Sequence, residues 1–594
     1  MKTLKRDEIP EKYKWKLEHI FKDLNEWEEA VKKSDELLKE LDVKKDTAFE
    51  SASDLLAFLK LSDEFDLLFG KVGAYAHLKG DENKKDSKRQ ELSQKLTPIH
   101  ILNSTIYSAF KSSLLMFEQD KLDAYFAQEK GLLFYKKFID ELLRYRPHTL
   151  SREEELLLSR SALLNSSGSI YSSLNNADLK FPVIKDGEGN EVELTQANFT
   201  SIMESKDRQV RESVFKAFYS VFKQFETTFA ATFYGSLKKD TFYSKERKYN
   251  SSLERSLFGD NIPTEVYDNL LRTVEKNVPV MERYLKLRKK MLGVEELHMY
   301  DLYTPLVDLD IAISYEEAFE TVKKALAVFG DKYISELEET YNGGWIDVYP
   351  NEGKRNGAYK SGTYGVRPYI LLNHKDNLNS MFTLCHELGH SQHSVFSQEN
   401  NPMLYAQYSI FTAEVASTVN EVLLMRYLLK NTDDKKMKQY LITYFLEQFR
   451  TTLFRQTMFA AYEQITHDRV EKGEPLTAEI LSNIYYDLNK KYYGEEIIHD
   501  EEIAIEWARI PHFYNAFYVY KYATGFSAAI SLSKQILEEG ESAVERYLNF
   551  LKSGGRDYPI ELLKGAGVDM SSPKPIEDAL EVFGGLIEEL ESLI

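Results

Sequence analysis

The segment DNLNSMFTLCHELGHSQHSVFSQE, which runs from Asp376 to Glu399, constrains the fold of this chain more than any other feature. Asp376 and Asn377 are candidate N-caps, and the apolar residues that follow recur at helical spacing. Residues four apart in a helix lie one turn above each other, so the imidazoles of His386 and His390 project from one face. Two nitrogens at this separation can share a tetrahedral zinc ion. The segment therefore predicts a metal-binding helix.

Glu387, inside the same pentapeptide HELGH, has the position of a general base. Successive helical residues are offset by about 100°, so its carboxylate points to the side of the metal. A general base must reach the water that the metal activates without taking a coordination position itself. HELGH therefore predicts a zinc hydrolase.

The third zinc ligand is not part of the metzincin pattern HExxHxxGxxH. His393 stands at the glycine position of that pattern and Phe396 at its last histidine. A carboxylate from a second helix is the alternative, as in sites with two histidines and one glutamate.

The next predicted helix, FTAEVASTVNEVLLMRYLLK, offers two such carboxylates on one face, Glu414 and Glu421. Glu414 follows His390 closely enough for one loop to return the chain to the metal. Glu421, two turns further on, is a candidate to accept a hydrogen bond from the ring nitrogen of a ligand histidine that does not bind the metal. Glu399 is also within range, but its surroundings are polar loop sequence, and we rank it behind the other two.

The order of these motifs resembles the M3 family of zinc metallopeptidases, in particular its oligoendopeptidase F branch. FTAEVAST follows HELGH, and three further segments are similar to that branch: GKRNGAYKSGTYGVRPYILLN, RIPHFYNAFYVYKYATGFSAA and LKSGGRDYPIELLKGAGVDM. The resemblance implies one Zn²⁺ per chain, held by His386, His390 and Glu414.

Composition and resemblance together predict the fold class and the domains. Leu, Glu, Lys and Ala are abundant and there are only 15 prolines in 594 residues, which favours a mainly α protein. We expect a two-lobed helical zincin metallopeptidase with a small β-sheet beside the zinc helix and a deep substrate channel. An N-terminal helical lobe is expected over 1–195 and the M3-type catalytic domain over 196–594. The segment KFPVIKDGEGNEVELT predicts a hairpin near that boundary.

The stretch from Trp345 to His374 predicts the small sheet, because glycines flank alternating Tyr, Ile and Leu residues. In zincins an exposed edge strand commonly holds the peptide through main-chain hydrogen bonds. We assign that role to Ala358–Tyr364 or to Pro368–Asn373, with Tyr359 as a substrate-binding residue. An ordinary hairpin packed under the site remains the other interpretation.

The run HFYNAFYVYKY, which begins at His512, is an aromatic helical core on its residues alone. The resemblance implies a different role, in which His512 and Tyr520 donate hydrogen bonds to the oxyanion of the transition state. Tyr514 and Tyr518 are weaker candidates that contact substrate. The aromatic residues of the run QVRESVFKAFYSVFKQFETTFAATFYGSL are expected to form helix-packing core instead.

Charge and cysteine content limit the partners and the compartment. The net charge of −19 disfavours nucleic acid and anionic membranes as partners. The chain begins without an apolar signal segment, and no apolar run approaches membrane-spanning length. Cys385 is the single cysteine, so no intramolecular disulfide can form, and we expect a buried, inert thiol in a reducing cytoplasm. The oligomeric state stays open.

The predicted activity is hydrolysis of internal bonds in short unstructured peptides by a water that zinc and Glu387 activate. The preference for short peptides is implied by the resemblance. A zinc carboxypeptidase or dipeptidase on the same fold is the alternative, and Arg355, Arg367 or Arg509 would then hold the terminal carboxylate of the substrate. A non-catalytic peptide-binding protein and a purely structural zinc site are two further hypotheses.

Overall fold

The protein is predominantly helical, as the composition predicts. The computed structural model describes residues 4–309 and 311–594. Within them the α-helices are α1 (Leu24–Lys44), α2 (Ala52–Asp81), α3 (Ser87–Lys95), α4 (Thr97–Met116), α5 (Gln119–Gln128), α6 (Lys136–Leu143), α7 (Arg152–Ser161), α8 (Ser167–Ser173), α9 (Phe199–Met203), α10 (Arg208–Gln224), α11 (Glu226–Glu246), α12 (Ser252–Phe258), α13 (Thr264–Lys276), α14 (Val278–Leu292), α15 (Tyr315–Ala325), α16 (Asp331–Asn342), α17 (Leu378–Asn400), α18 (Met403–Ala406), α19 (Ile410–Lys430), α20 (Lys435–Gln448), α21 (Arg455–Glu471), α22 (Ala478–Tyr493), α23 (Tyr520–Glu539), α24 (Glu541–Ser553), α25 (Pro559–Ala566) and α26 (Lys574–Ser592).

Across the described ranges, five short strands form two small sheets: β1 (Val183–Lys185), β2 (Glu191–Glu193), β3 (Ile346–Asp347), β4 (Tyr359–Ser361) and β5 (Tyr369–Leu371). None of the helices in the described residues is long and apolar enough to cross a membrane.

Packing divides the chain into two compact units that interleave along the sequence. Unit 1 comprises Met1–Thr149, Ile311–Leu424 and Gly540–Asp557. Unit 2 comprises Leu150–Asp310, Met425–Glu539 and Tyr558–Ile594. This is a division by packing, and the sequence boundary at residue 195 stays a prediction.

The core of unit 1 is built by its N-terminal helices and by the three-stranded sheet. Buried apolar residues of α1, α2 and α4, such as Trp27, Leu55 and Phe110, form one cluster with Tyr369 and Leu371 of β5. The aromatic and aliphatic faces of these helices thereby cover one side of the strand, while α17 contacts β4 and β5. The sheet therefore lies beside the helix that carries HELGH.

The order of strands in this sheet is β3-β5-β4, with β3 parallel and β4 antiparallel to β5. Of the two segments proposed for the edge strand, Ala358–Tyr364 contains β4 at the edge, and Pro368–Asn373 contains β5 in the centre. The hairpin predicted in KFPVIKDGEGNEVELT is confirmed, because β1 and β2 pair as antiparallel strands around Gly189, whose φ is +84°.

Helix α17 begins where the sequence predicts. Asn377 is its N-cap, and the side-chain Oδ1 accepts a hydrogen bond of 2.9 Å from the amide of Ser380. The helix ends at Asn400, and most of its residues are buried. HELGH thus lies in the middle of a capped helix whose backbone is held by neighbours on several sides.

Helices α17 and α19 approach each other closely at Gly389. A Cβ atom on Gly389 would lie 2.6 Å from the Cα of Ser417 and 2.8 Å from the carbonyl oxygen of Ala416. Backbone atoms cannot yield easily to such a contact, so this approach requires glycine. The side chain of Asn420 stabilises this contact between the two helices. Its Oδ1 accepts a hydrogen bond from the Tyr333 hydroxyl at 2.9 Å, and its Nδ2 donates to the Cys385 carbonyl at 3.4 Å.

In unit 2, helices α10 and α11 supply an aromatic core. The residues Phe215, Phe218, Tyr219, Phe222 and Phe229 are buried, as predicted, and Phe225 is half-buried.

We expect Gly389→Ala to lower the melting temperature of the protein, because a methyl group there overpacks the α17–α19 contact at a cost of about 1–3 kcal/mol. Gly73→Ala in α2 is the matched control, since its Cβ meets no atom within 4 Å. Thermal unfolding followed by circular dichroism compares the two variants. Equal melting temperatures for both would contradict the close approach.

Candidate metal centre and active-site residues

Three side chains of unit 1 converge on one point. His386 and His390 of α17 and Glu414 of α19 each offer one ligand atom, and these atoms all lie within 4.8 Å of one another. Glu414 Oε2 is 3.4 Å from Nε2 of His386 and 3.6 Å from Nε2 of His390. The two imidazoles share a helical face as the spacing predicts, and their ring planes are nearly perpendicular, at 86°.

The separations between these atoms fit a zinc ion. Tetrahedral zinc with ligand bonds of about 2.0–2.1 Å places its ligands about 3.3–3.4 Å apart. Two imidazole nitrogens and one carboxylate oxygen are also ligands that zinc prefers. Glu399, the lower-ranked candidate, lies elsewhere and forms an ion pair of 3.2 Å with Lys332.

A second layer of hydrogen bonds orients two of the three candidate ligands. Glu421 Oε1 lies 2.6 Å from Nδ1 of His386, so a proton on Nδ1 leaves the Nε2 lone pair facing the candidate centre. Ser417 donates to Glu414 Oε2 at 3.2 Å. Burial alone would lower the pKa of His386, but the Glu421 and Glu414 carboxylates outweigh burial and hold that pKa well above its usual value. These acidic groups create a strong local preference for a cation.

Glu387 is buried beside this group, with 6% of its surface exposed. Its Oε2 makes no hydrogen bond to any described residue. Burial is the main cause that raises the pKa of Glu387 to about 7. A buried carboxylate with a pKa near 7, and with one oxygen that makes no hydrogen bond to the described residues, is suited to accept a proton near neutral pH.

Cys385, next to His386, is fully buried and its thiol is free of disulfide. Burial raises the pKa of the thiol well above its usual value, so the neutral form is favoured.

The edge strand β4 places Tyr359 and Lys360 on opposite faces of the sheet. The Tyr359 hydroxyl donates to Asp81 Oδ2 at 2.6 Å. The Lys360 ammonium lies over the ring of Tyr408, 5.6 Å from its centroid. Sequence reasoning missed both Lys360 and Tyr408, although Lys360 stands in the middle of a segment predicted as the edge strand.

The predicted donor group lies in unit 2, and its members have different surroundings. His512 is exposed, and its ring centroid is 6.1 Å from that of Tyr518 and 6.0 Å from that of Tyr522. Tyr514 is half-buried, with its hydroxyl 2.7 Å from the Thr232 hydroxyl.

Tyr520, by contrast, is fully buried inside unit 2, and its ring packs 5.2 Å from that of Tyr267. Burial raises the pKa of the Tyr520 hydroxyl well above its usual value. The phenol therefore stays protonated, as a hydrogen-bond donor must.

The loop that follows His512 is anchored by a buried acid that sequence reasoning also missed. Phe517 has a φ of +55°, which is rare for a residue with a side chain, and its amide donates to Glu463 Oε1 at 2.9 Å. Glu463 is fully buried. A glutamate among the apolar residues of FAAYEQI was the available sign in the sequence.

Comparison with known proteins gives a consistent result over the whole chain. The model of Peptidase family M3 matches residues 201–582, and the model described as Oligopeptidase F matches residues 114–181. The chain is 46% identical to Oligopeptidase PepF of Bacillus subtilis, over 99% of this chain and 88% of that protein.

Two crystal structures are similar in fold and sequence. A Chlamydophila abortus structure matches with a TM-score of 0.92 and 35% identity over 100% of both chains. Oligoendopeptidase-F from Enterococcus faecium matches with a TM-score of 0.75 and 38% identity, over 96% of this chain and 99% of that one.

We expect Glu421→Ala to weaken Zn²⁺ binding about 10- to 100-fold, because the His386 ring loses the acceptor that orients it. Competition with a fluorescent chelator measures the affinity. Glu399→Ala is the control, since it removes a glutamate from the C-terminal end of α17 and leaves the candidate ligands unchanged. An identical affinity in the two variants would argue against the role of Glu421.

Proposed function

Because the chain belongs to peptidase family M3, in its oligopeptidase F branch, and is a metalloendopeptidase by that membership, we propose that it is a zinc-dependent oligoendopeptidase of short unstructured peptides. One observation carries this proposal above the others. Glu387 has a buried Oε2, which makes no hydrogen bond to the described residues, beside three converging ligand atoms from His386, His390 and Glu414.

The proposed ligand set is suited to catalysis because it leaves one position open. A structural zinc site usually has four protein ligands, whereas a catalytic site has three. Zn²⁺ bound by His386, His390 and Glu414 would act as a Lewis acid on the scissile carbonyl and would lower the pKa of water.

Glu387 moves the proton in this proposal. Its Oε2 accepts a proton from the water that attacks the scissile carbonyl carbon, and a new C–O bond forms. Glu387 then delivers that proton to the nitrogen of the leaving amine as the C–N bond breaks. The water is consumed, the carboxylate is regenerated, and no acyl-enzyme forms.

The substrate is proposed to lie along β4, the edge strand of the sheet in unit 1. An extended peptide can add to such an edge through main-chain hydrogen bonds, which do not depend on the side chains of the peptide. The hydroxyl of Tyr359 is engaged with Asp81, so the contribution we propose for Tyr359 is its backbone. The limit to short peptides rests on the family resemblance.

We also propose, from the resemblance, that His512 and Tyr520 donate hydrogen bonds in the transition state. The exposed imidazole of His512 favours it as the first candidate, ahead of the buried Tyr520. Tyr514 and Tyr518 are proposed to contact substrate. The cytoplasm stays our prediction for the compartment, on the strength of the single buried cysteine.

The alternative, a carboxypeptidase or dipeptidase, requires an available cation for the terminal carboxylate of the substrate. Arg355 is ion-paired with Asp81, and Arg367 with Glu336. Arg509 donates a hydrogen bond to the Tyr219 hydroxyl at 3.4 Å. Since each of these arginines has a partner of its own, none of the three offers a free cation for that carboxylate.

We expect Glu387→Gln to lower kcat about 10²- to 10⁴-fold while zinc binding is retained, because the amide cannot accept the proton from water. The substrate is a fluorogenic peptide that is acetylated at the N-terminus and amidated at the C-terminus, which an endopeptidase cleaves and an exopeptidase does not. Glu399→Gln serves as the control with unchanged kcat. Full activity of Glu387→Gln, or cleavage restricted to unblocked peptides, would overturn the proposal.

A further inference from the structure

Lys360 occupies the middle of the edge strand that lies beside α17. Because side chains alternate along a strand, Lys360 points to the face opposite Tyr359 and Ser361. Tyr359 reaches Asp81 on its own face. On the other face the Lys360 ammonium lies over the ring of Tyr408.

Tyr408 links Lys360 to the helix of the candidate metal centre. The Tyr408 ring stacks on the His393 imidazole at a centroid distance of 3.6 Å and an angle of 8°. The Tyr408 hydroxyl lies 3.3 Å from the backbone oxygen of His390 and 2.7 Å from the Ser394 hydroxyl. The ring of Tyr408 therefore lies between the Lys360 ammonium and the turn of α17 that carries His390.

The charge of Lys360 extends to this turn as well. Burial is the largest cause of the lowered pKa of His393, and the Lys360 ammonium is the next. This coupling agrees with the short path through Tyr408.

Lys360 forms no ion pair with a carboxylate in the described part of the chain, although its charge acts over a longer distance to lower the pKa of Glu387. No carboxylate oxygen there lies within 4.0 Å of its ammonium, although the chain has a net charge of −19. Lys360 is half-buried. A half-buried cation that makes no ion pair within the described residues, on the strand proposed to bind peptide, is well placed to pair with a carboxylate of the ligand.

We propose that Lys360 is a specificity-determining residue whose ammonium forms a subsite for a carboxylate of the peptide. The inference rests on the proposed function and adds a substrate class to it: peptides with an acidic group close to the scissile bond. The carboxylate comes from a Glu or Asp side chain or from the C-terminus of the peptide. A Lys or Arg side chain at the same position is disfavoured by repulsion.

The test uses fluorogenic peptides that differ in one residue. Glu, Gln or Lys is placed in turn at each of the three positions on either side of the cleaved bond, in peptides blocked at both ends. A second set carries Gln throughout and ends in either a free carboxylate or an amide, so that the two sources of carboxylate are separated. The kcat/KM values are measured for the zinc-loaded wild type and for Lys360→Gln, Lys360→Glu and Lys360→Arg.

At one position, or at the free C-terminus, we expect the wild type to prefer the acidic peptide over its neutral counterpart by about three- to tenfold. Lys360→Gln should remove that preference, Lys360→Glu should reverse it in favour of Lys, and Lys360→Arg should restore it. Lys60→Gln, which removes an exposed lysine of α2, should leave every ratio unchanged. The all-Gln amide reports whether a variant is still folded and active.

Ratios that are the same in the wild type, Lys360→Gln and Lys360→Glu at every position would overturn the role of Lys360. The proposed function would survive that result, provided that the wild type cleaves the all-Gln amide and Glu387→Gln does not. If the zinc-loaded wild type cleaves none of the peptides, both the proposed function and the subsite are wrong.

Discussion

The contact between α17 and α19 at Gly389 is the constraint on which the candidate centre depends. His386 and His390 share a face through helical geometry alone, but the third ligand atom comes from a separate helix. Only a residue without a Cβ allows the backbone of Ser417 to come so close. That approach sets Glu414 Oε2 at 3.4 and 3.6 Å from the two imidazole nitrogens, close to the separation of about 3.3–3.4 Å between ligands of one tetrahedral zinc ion.

Three glutamates that lie close together differ in their hydrogen-bond partners, and this difference suits them to different roles. Glu414 and Glu421 are engaged with the two sides of the His386 ring, at Nε2 and Nδ1. Glu387 is left with a buried oxygen that makes no hydrogen bond to the described residues, and burial raises its pKa. The side chain of Glu387 points in a different direction from that of His386, because successive residues are offset by about 100° around the helix axis. Helix α17 therefore supplies the two histidine ligands and the proposed general base.

Local sequence information was enough for much of this arrangement. The Asn377 cap, the start of α17 and the hairpin of β1 and β2 follow from side-chain periodicity and turn residues. The assignment of Glu399 to a loop was wrong, because α17 extends to Asn400. Sequence alternation could not choose between two segments for the edge strand, because pairing order depends on residues distant in the chain. Lys360 was missed for the same reason, since it meets Tyr408 only in the folded protein. The interleaving of the two packing units also has no local signature.

Zinc stoichiometry combined with X-ray absorption at the zinc edge, for the wild type and for Glu414→Ala, tests the proposed metal centre most directly. We predict one zinc per chain in the wild type, with two imidazole nitrogens and a carboxylate oxygen at about 2.0–2.1 Å. The variant should lose the carboxylate and bind zinc more weakly. Wild-type protein without zinc, or a Glu414→Ala spectrum and occupancy identical to those of the wild type, would contradict the proposed ligand set.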